Sequence, residues 1–153
     1  MLRFAIPGDS MHCMNIVLDT NVFVAALISD TGASLEVVRR CLQRRYQPCF
    51  SLALFAEYRD LLGRDALYER CLLDAGERDE LFCALMAVSQ MTEIYYLWRP
   101  NLSDEGDNHV MELAVAARAE LIVTHNRSDF LRSELRFPGI RILAPAEFLK
   151  ENL

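Results

Sequence analysis

The chain has 153 residues, 52% hydrophobic and 25% charged, which favours one domain with a real core and excludes a disordered or collagen-like polypeptide. A formal net charge of −6 counts against a nucleic-acid binder that relies on bulk attraction alone, since such proteins are normally basic. The longest apolar run, Val22 to Ile28, is far short of the ~18 residues of a membrane span. Five scattered cysteines without a C-x-x-C pair fit reduced thiols in a cytoplasm better than a disulfide framework.

Met1 to Met14 lacks the apolar core of a signal peptide. It reads as an N-terminal extension, expected to be disordered, or as the product of a start upstream of Met11 or Met14. Regular patterning begins at Asn15, so the folded domain is taken as Asn15 to Leu153. Asn15–Leu18 is a short apolar run suited to a strand covered on both faces, followed by an apolar helix over Asn21–Ser29. Ser34 is the expected N-cap of a helix over Leu35–Arg45. Tyr46–Phe50 is a second strand, placed at an edge or paired irregularly because of Pro48, and Ser51 then caps a helix to Leu62.

Helices are expected near Asp65–Leu73 and Glu77–Gln90, and a third strand over Thr92–Leu97. A helix over Gly106–Arg118, a strand over Leu121–Thr124, a short helix over Arg127–Ser133 and a strand over Ile140–Leu143 follow. Pro145, at the first helical position, opens a last helix to Asn152. Strands separated by helices imply a three-layer α/β/α sandwich with a central, mainly parallel sheet of about five strands.

In such a sheet, ligands bind beyond the carboxyl ends of the strands, and that is where the acids fall. Asp19 follows the first strand, Glu57 lies in the helix after the second, Asp104 and Asp107 follow the third, and Thr124, Asn126 and Asp129 follow the fourth. Each has a plainer explanation alone. Asp19 can be a helix N-cap, Glu57 part of a solvated helix face, Asp104 and Asp107 partners of a helix dipole, and Asp129 a turn residue. Those explanations do not predict the same placement at successive strand ends.

Clustered carboxylates raise one another's pKa unless a cation lies between them. Hard oxygen ligands without Cys or His select Mg²⁺ or Mn²⁺ over zinc, and such a site suits hydrolysis of phosphate esters. Arg127 and Arg132, beside the fourth motif, are the candidate phosphate contacts. Arg39, Arg40, Arg44 and Arg45 read as a solvated helix face. His12, His109 and His125 are given no catalytic part, because this chemistry needs no histidine base.

The segments NIVLDTNVF (Asn15–Phe23), SLALFAEYRDLL (Ser51–Leu62), DEGDNHVMELAVAA (Asp104–Ala117) and LIVTHNRSDF (Leu121–Phe130) together resemble the PIN domain. More narrowly, they resemble the toxin components of bacterial and archaeal toxin–antitoxin modules. The resemblance implies a parallel α/β/α fold and a Mg²⁺- or Mn²⁺-dependent ribonuclease. It implies Asp19, Glu57 and Asp107 as catalytic metal-binding acids and Asp104 as a companion ligand. The fourth motif departs from the family's T-x-D: it has Thr124-His125-Asn126, with Asn126 at the aspartate position and Asp129 three residues later. Either Asp129 is a ligand there or Asn126 leaves a neutral group. Asn21 and Thr124 look like groups that orient the acids, and Thr20 is a candidate cap for the helix beside it. An RNA substrate, a homodimer and a small antitoxin that obstructs the acidic pocket are further implications. A catalytically inactive PIN fold that binds protein or RNA is the alternative, resting on Asn126.

Overall fold

Strand β1 (Asn15–Leu18) buries its last three residues, as a strand covered on both faces requires. It runs directly into helix α1 (Thr20–Ile28), capped by Asp19. Helix α2 (Ala33–Leu42) buries Val37, Val38 and Cys41 and leads to β2 (Gln47–Phe50). Ser51 accepts the Leu54 backbone N–H and so caps α3 (Leu52–Leu62). Helix α4 (Ala75–Ala87) opens on a reciprocal capping box between Asp74 and Glu77. Strand β3 (Gln90–Met91), helix α5 (Asn108–Ala116), strand β4 (Leu121–Val123), helix α6 (Arg127–Leu131), strand β5 (Arg141–Leu143) and helix α7 (Pro145–Glu151) follow. The computed structural model describes residues 13–29, 32–94, 108–131, 137 and 139–151.

All strands are parallel, in the order β3-β2-β1-β4-β5. Helices flank the sheet in the expected α/β/α sandwich: α5 packs on β1, β2 and β4, while α1 packs on α2 and α3. From β1 the chain builds outward through β2 to β3, then returns to the other flank of β1 to lay down β4 and β5. The order reverses between β1 and β4, and a crevice opens at the carboxyl ends of such a pair. Register sets Leu18 beside Val123, so the next residue of each strand, Asp19 and Thr124, stands at the mouth of that crevice.

Tyr58 fixes the rotation of α3 over this mouth. Its ring is buried against Phe23, Phe50 and Phe82, with centroids 4.8–5.7 Å away. Its hydroxyl donates to the Leu18 carbonyl at 2.8 Å, satisfying a phenol that would otherwise be costly to bury. With Leu54 and Tyr58 inward, Glu57 is set at the border of the buried face, beside the end of β1.

Several local expectations are corrected. The third strand is Gln90–Met91, not Thr92–Leu97, of which residues 95–97 lie outside the described part. It pairs only with Cys49 and Phe50 and both its residues are exposed, so an apolar signature could not mark it; the Thr92 N–H extends the pairing to the Phe50 carbonyl. Asp65–Tyr68 is one short 3₁₀ turn in place of a longer helix. Gly32, not Ser34, is the N-cap residue of α2, and Asp19 rather than Thr20 caps α1.

Pro48 lies in β2, an interior strand. Gln47 directs its N–H to the Met14 carbonyl, so strand alternation turns Pro48 toward the β3 side, as it does Phe50. Strand β3 reaches only Cys49 and Phe50, so no partner is deprived of the missing N–H.

Candidate active site

Asp19 is 3% exposed, an expensive position for a carboxylate. Five neighbours decide its state. Its Oδ1 accepts the Thr20 backbone N–H at 2.9 Å, and its Oδ2 accepts the Thr124 hydroxyl at 2.8 Å and the Asn21 side-chain amide at 3.2 Å. Glu57 approaches from α3, accepting the Thr20 hydroxyl on Oε1 at 3.1 Å, so Thr20 touches both acids. The other Glu57 oxygen lies 3.4 Å from His109 Nε2.

The Asp19 pKa is raised above its ordinary value. Burial is the main cause and the negative charge of Glu57 adds to it, while the Thr124 and Thr20 hydrogen bonds and nearby His109 act the other way. Donors therefore stabilise the ionised form without fully replacing the lost water. Neither Asp19 nor Glu57 forms an ion pair with an arginine among the described residues. Two oxygen donors held close together, one resisting ionisation, suit a hard divalent cation.

A second layer fastens the strand ends together. Thr124 Oγ accepts the Asn126 backbone N–H at 3.0 Å, and Asn21 Oδ1 accepts the His125 backbone N–H at 3.1 Å. The Asn21 amide is thus oriented at both ends, with oxygen to the β4–α6 turn and nitrogen to Asp19.

The sequence profile described as "PIN domain" matches residues 15–128, three quarters of the chain and every element bearing the described site. The chain belongs to the PIN domain family. It is also 24% identical over 148 residues to the uncharacterized protein MJ1680 of Methanocaldococcus jannaschii, spanning 90% of this chain and 91% of that protein. Among solved structures it is similar to VapBC2 from Rickettsia felis, described as bound to a DNA fragment from their promoter. The TM-score is 0.53 at 13% identity, over 84% of this chain and 97% of the other. At that identity the likeness concerns the fold.

Within this PIN domain, Asp19, Glu57, Asn21 and Thr124 come together, whereas Asp104, Asp107 and Arg132 lie outside the described residues. Among the described residues no group of three or more His, Cys, Asp or Glu side chains is placed to hold a metal. Asp129 sits in the first turn of α6, half-buried, its N–H bonded to the Asn126 carbonyl. No hydrogen bond among the described residues joins its carboxylate to Asp19 or Glu57. Asn126 is exposed and enters the site through its backbone. Arg127 is 2.9 Å from Glu147, a pairing that competes with any phosphate.

Sequence reasoning passed over three residues of this PIN domain. His109 was given no part, yet it reaches Glu57. Glu112, 1% exposed on α5, was not singled out, although a lone carboxylate inside the apolar run Val110–Ala117 is a legible signal. Thr20 bridges two acids and does not cap α1, and nothing in L-D-T-N distinguishes a capping hydroxyl from a bridging one. Thiol chemistry is disfavoured at Cys41 and Cys49, whose pKa values burial pushes up to about 12 and about 11.

Proposed function

We propose that this PIN-domain protein is a Mg²⁺- or Mn²⁺-dependent endoribonuclease, the toxin of a toxin–antitoxin module acting in the cytoplasm. The carrying observation is that Asp19, buried at the β1–β4 crevice and resisting ionisation, is joined through Thr20 to Glu57 with no arginine among the described residues to balance either. Family membership supports the nuclease reading, because PIN domains are generally nucleases.

In this reading Asp19 and Glu57 hold the cation, and Asp104, Asp107 and either Asp129 or Asn126 complete its ligands. A bound Mg²⁺ or Mn²⁺ would supply Lewis acidity and offset the charge of a phosphodiester. The chain's own part is preorganisation. Thr124 and Asn21 orient Asp19, Thr20 and His109 bracket Glu57, and Tyr58 fixes the helix that carries Glu57. Such supporting bonds keep ligands aimed before the ion arrives.

An antitoxin partner and a homodimer belong to the same proposal; fold likeness to VapBC2 supports the former. Five free cysteines fit a reducing compartment. The test is incubation of purified protein with single-stranded and structured RNA in Mn²⁺ or Mg²⁺. Cleavage that stops with EDTA and is lost in Asp19→Asn is expected. Equal cleavage by wild type and Asp19→Asn would overturn the proposal.

A further inference from the structure

We infer that His125 binds substrate at the rim of the acidic pocket, donating a hydrogen bond to the phosphodiester backbone of RNA, and that Ser34 is the positioning residue that aims it. This rests on the ribonuclease reading above. His125 is exposed, yet its ring is fixed: Nε2 lies 2.9 Å from Ser34 Oγ. Ser34, on the first turn of α2, is 7% exposed, so an exposed ring is anchored on a buried hydroxyl.

That hydroxyl is free for the task because capping falls to Gly32, which uses no side chain. The backbone of the histidine is fixed as well, its N–H donating to Asn21 Oδ1 at 3.1 Å while Asn21 Nδ2 donates to Asp19. Two hydrogen bonds therefore separate the root of the ring from the Asp19 carboxylate. Ordering an exposed side chain costs conformational entropy, and the Ser34 contact offsets it only locally.

The chemistry follows from which ring atom is left. With Nε2 engaged by Ser34, Nδ1 is the remaining polar atom, and no described residue meets it. When the Ser34 O–H donates to Nε2, Nδ1 carries the proton and is a donor. A phosphodiester entering an acidic pocket of a chain with net charge −6 needs donors at the rim. Asn21 and Thr124 direct theirs to Asp19, and Arg127 turns one of its guanidinium N–H groups to Glu147. His125 is positioned beside them with Nδ1 unmet among the described residues, a donor in the tautomer whose Nε2 accepts from Ser34.

The experiment measures binding of a short single-stranded RNA to the full chain by fluorescence anisotropy, with Ca²⁺ replacing Mn²⁺ and the RNA verified intact. Steady-state cleavage in Mn²⁺ and calorimetry with Mn²⁺ alone accompany it. His125→Ala should weaken RNA binding and raise KM about tenfold, the usual scale for one hydrogen bond to a charged group, leaving kcat and Mn²⁺ affinity unchanged. Ser34→Ala should shift KM the same way by less, and Ser34→Thr, which keeps the hydroxyl, should restore it.

His125→Gln retains a donor and should lie between wild type and alanine, so the comparison survives if the alanine variant folds poorly. Unchanged RNA affinity in His125→Ala would overturn the inference. So would a joint loss of kcat and Mn²⁺ affinity at constant KM, which would make His125 a brace for Asn21. Wild-type protein that binds RNA without cutting it defeats the ribonuclease reading while leaving the His125 effect measurable; wild-type protein that binds no RNA defeats the inference itself.

Discussion

Thr124 donates its hydroxyl to Asp19 Oδ2 at 2.8 Å across the seam where the strand order reverses, joining the last turns of β1 and β4. The Thr124 hydroxyl oxygen in turn accepts the Asn126 N–H, so one hydroxyl settles both a buried carboxylate and the entry to α6. Thr124→Val keeps the shape and removes the group. It should destabilise the fold by about 1–3 kcal/mol, the cost of leaving buried polar partners unmet, and lower kcat/KM as Asp19 loses its orientation. Urea denaturation and RNA cleavage read the two effects; unchanged stability would show that the bond contributes nothing.

Asp19 illustrates the cost of a preformed charged site. Its pKa is raised in the folded chain, so the native state binds this proton more readily than the unfolded state. Stability contributed by this group falls as pH rises from the unfolded value, 3.8, through the raised folded value, and stays low above it. Asp19→Asn removes that dependence. Denaturation midpoints of the variant should therefore gain on wild type as pH climbs through this window, even though the amide nitrogen that replaces Oδ2 cannot accept the Thr124 hydroxyl or the Asn21 amide. RNA cleavage should vanish in the same variant. Parallel stability curves for the two proteins would contradict the burial argument.

Tyr58 supports the site without entering it. Burial, with the nearby negative charge of Asp19, drives its pKa well above the ordinary 10.0, so it serves as a hydroxyl donor to the Leu18 carbonyl. Tyr58→Phe preserves the aromatic packing and removes only that bond. A loss of about 1 kcal/mol is expected, with a fall in cleavage rate from looser placement of Glu57. Full activity at reduced stability would confine Tyr58 to the core.

The sheet interior was legible in the sequence because β1 and β4 are apolar runs followed at once by Asp19 and Thr124, and a strand buried on both faces shows such runs. The edge was not: Gln90 and Met91 are exposed, so no apolar run marks the strand they form. Glu57 taken alone reads as part of a wet helix face. Its neighbour Tyr58 turns it toward β1, and that is a tertiary fact. His109 and Thr20 were missed for a related reason, since a hydrogen bond between residues distant in sequence, such as Thr20 and Glu57, leaves no local pattern.

If Asp19 and Glu57 share a divalent ion, occupancy must stabilise the folded chain, because the unfolded chain lacks the site. At about a hundredfold excess over Kd the linkage is worth ~2.7 kcal/mol, or about 5–10 °C in Tm for a chain of this size. Mn²⁺ should produce that rise in wild type, and an equal ionic strength of potassium chloride should not. Asp19→Asn should abolish it and Glu57→Gln should reduce it, since each removes one negative oxygen donor. Thr20→Val should weaken it less, because it removes a brace and not a ligand. Equal Mn²⁺ shifts in all four proteins would place the ion elsewhere and separate these carboxylates from metal binding altogether.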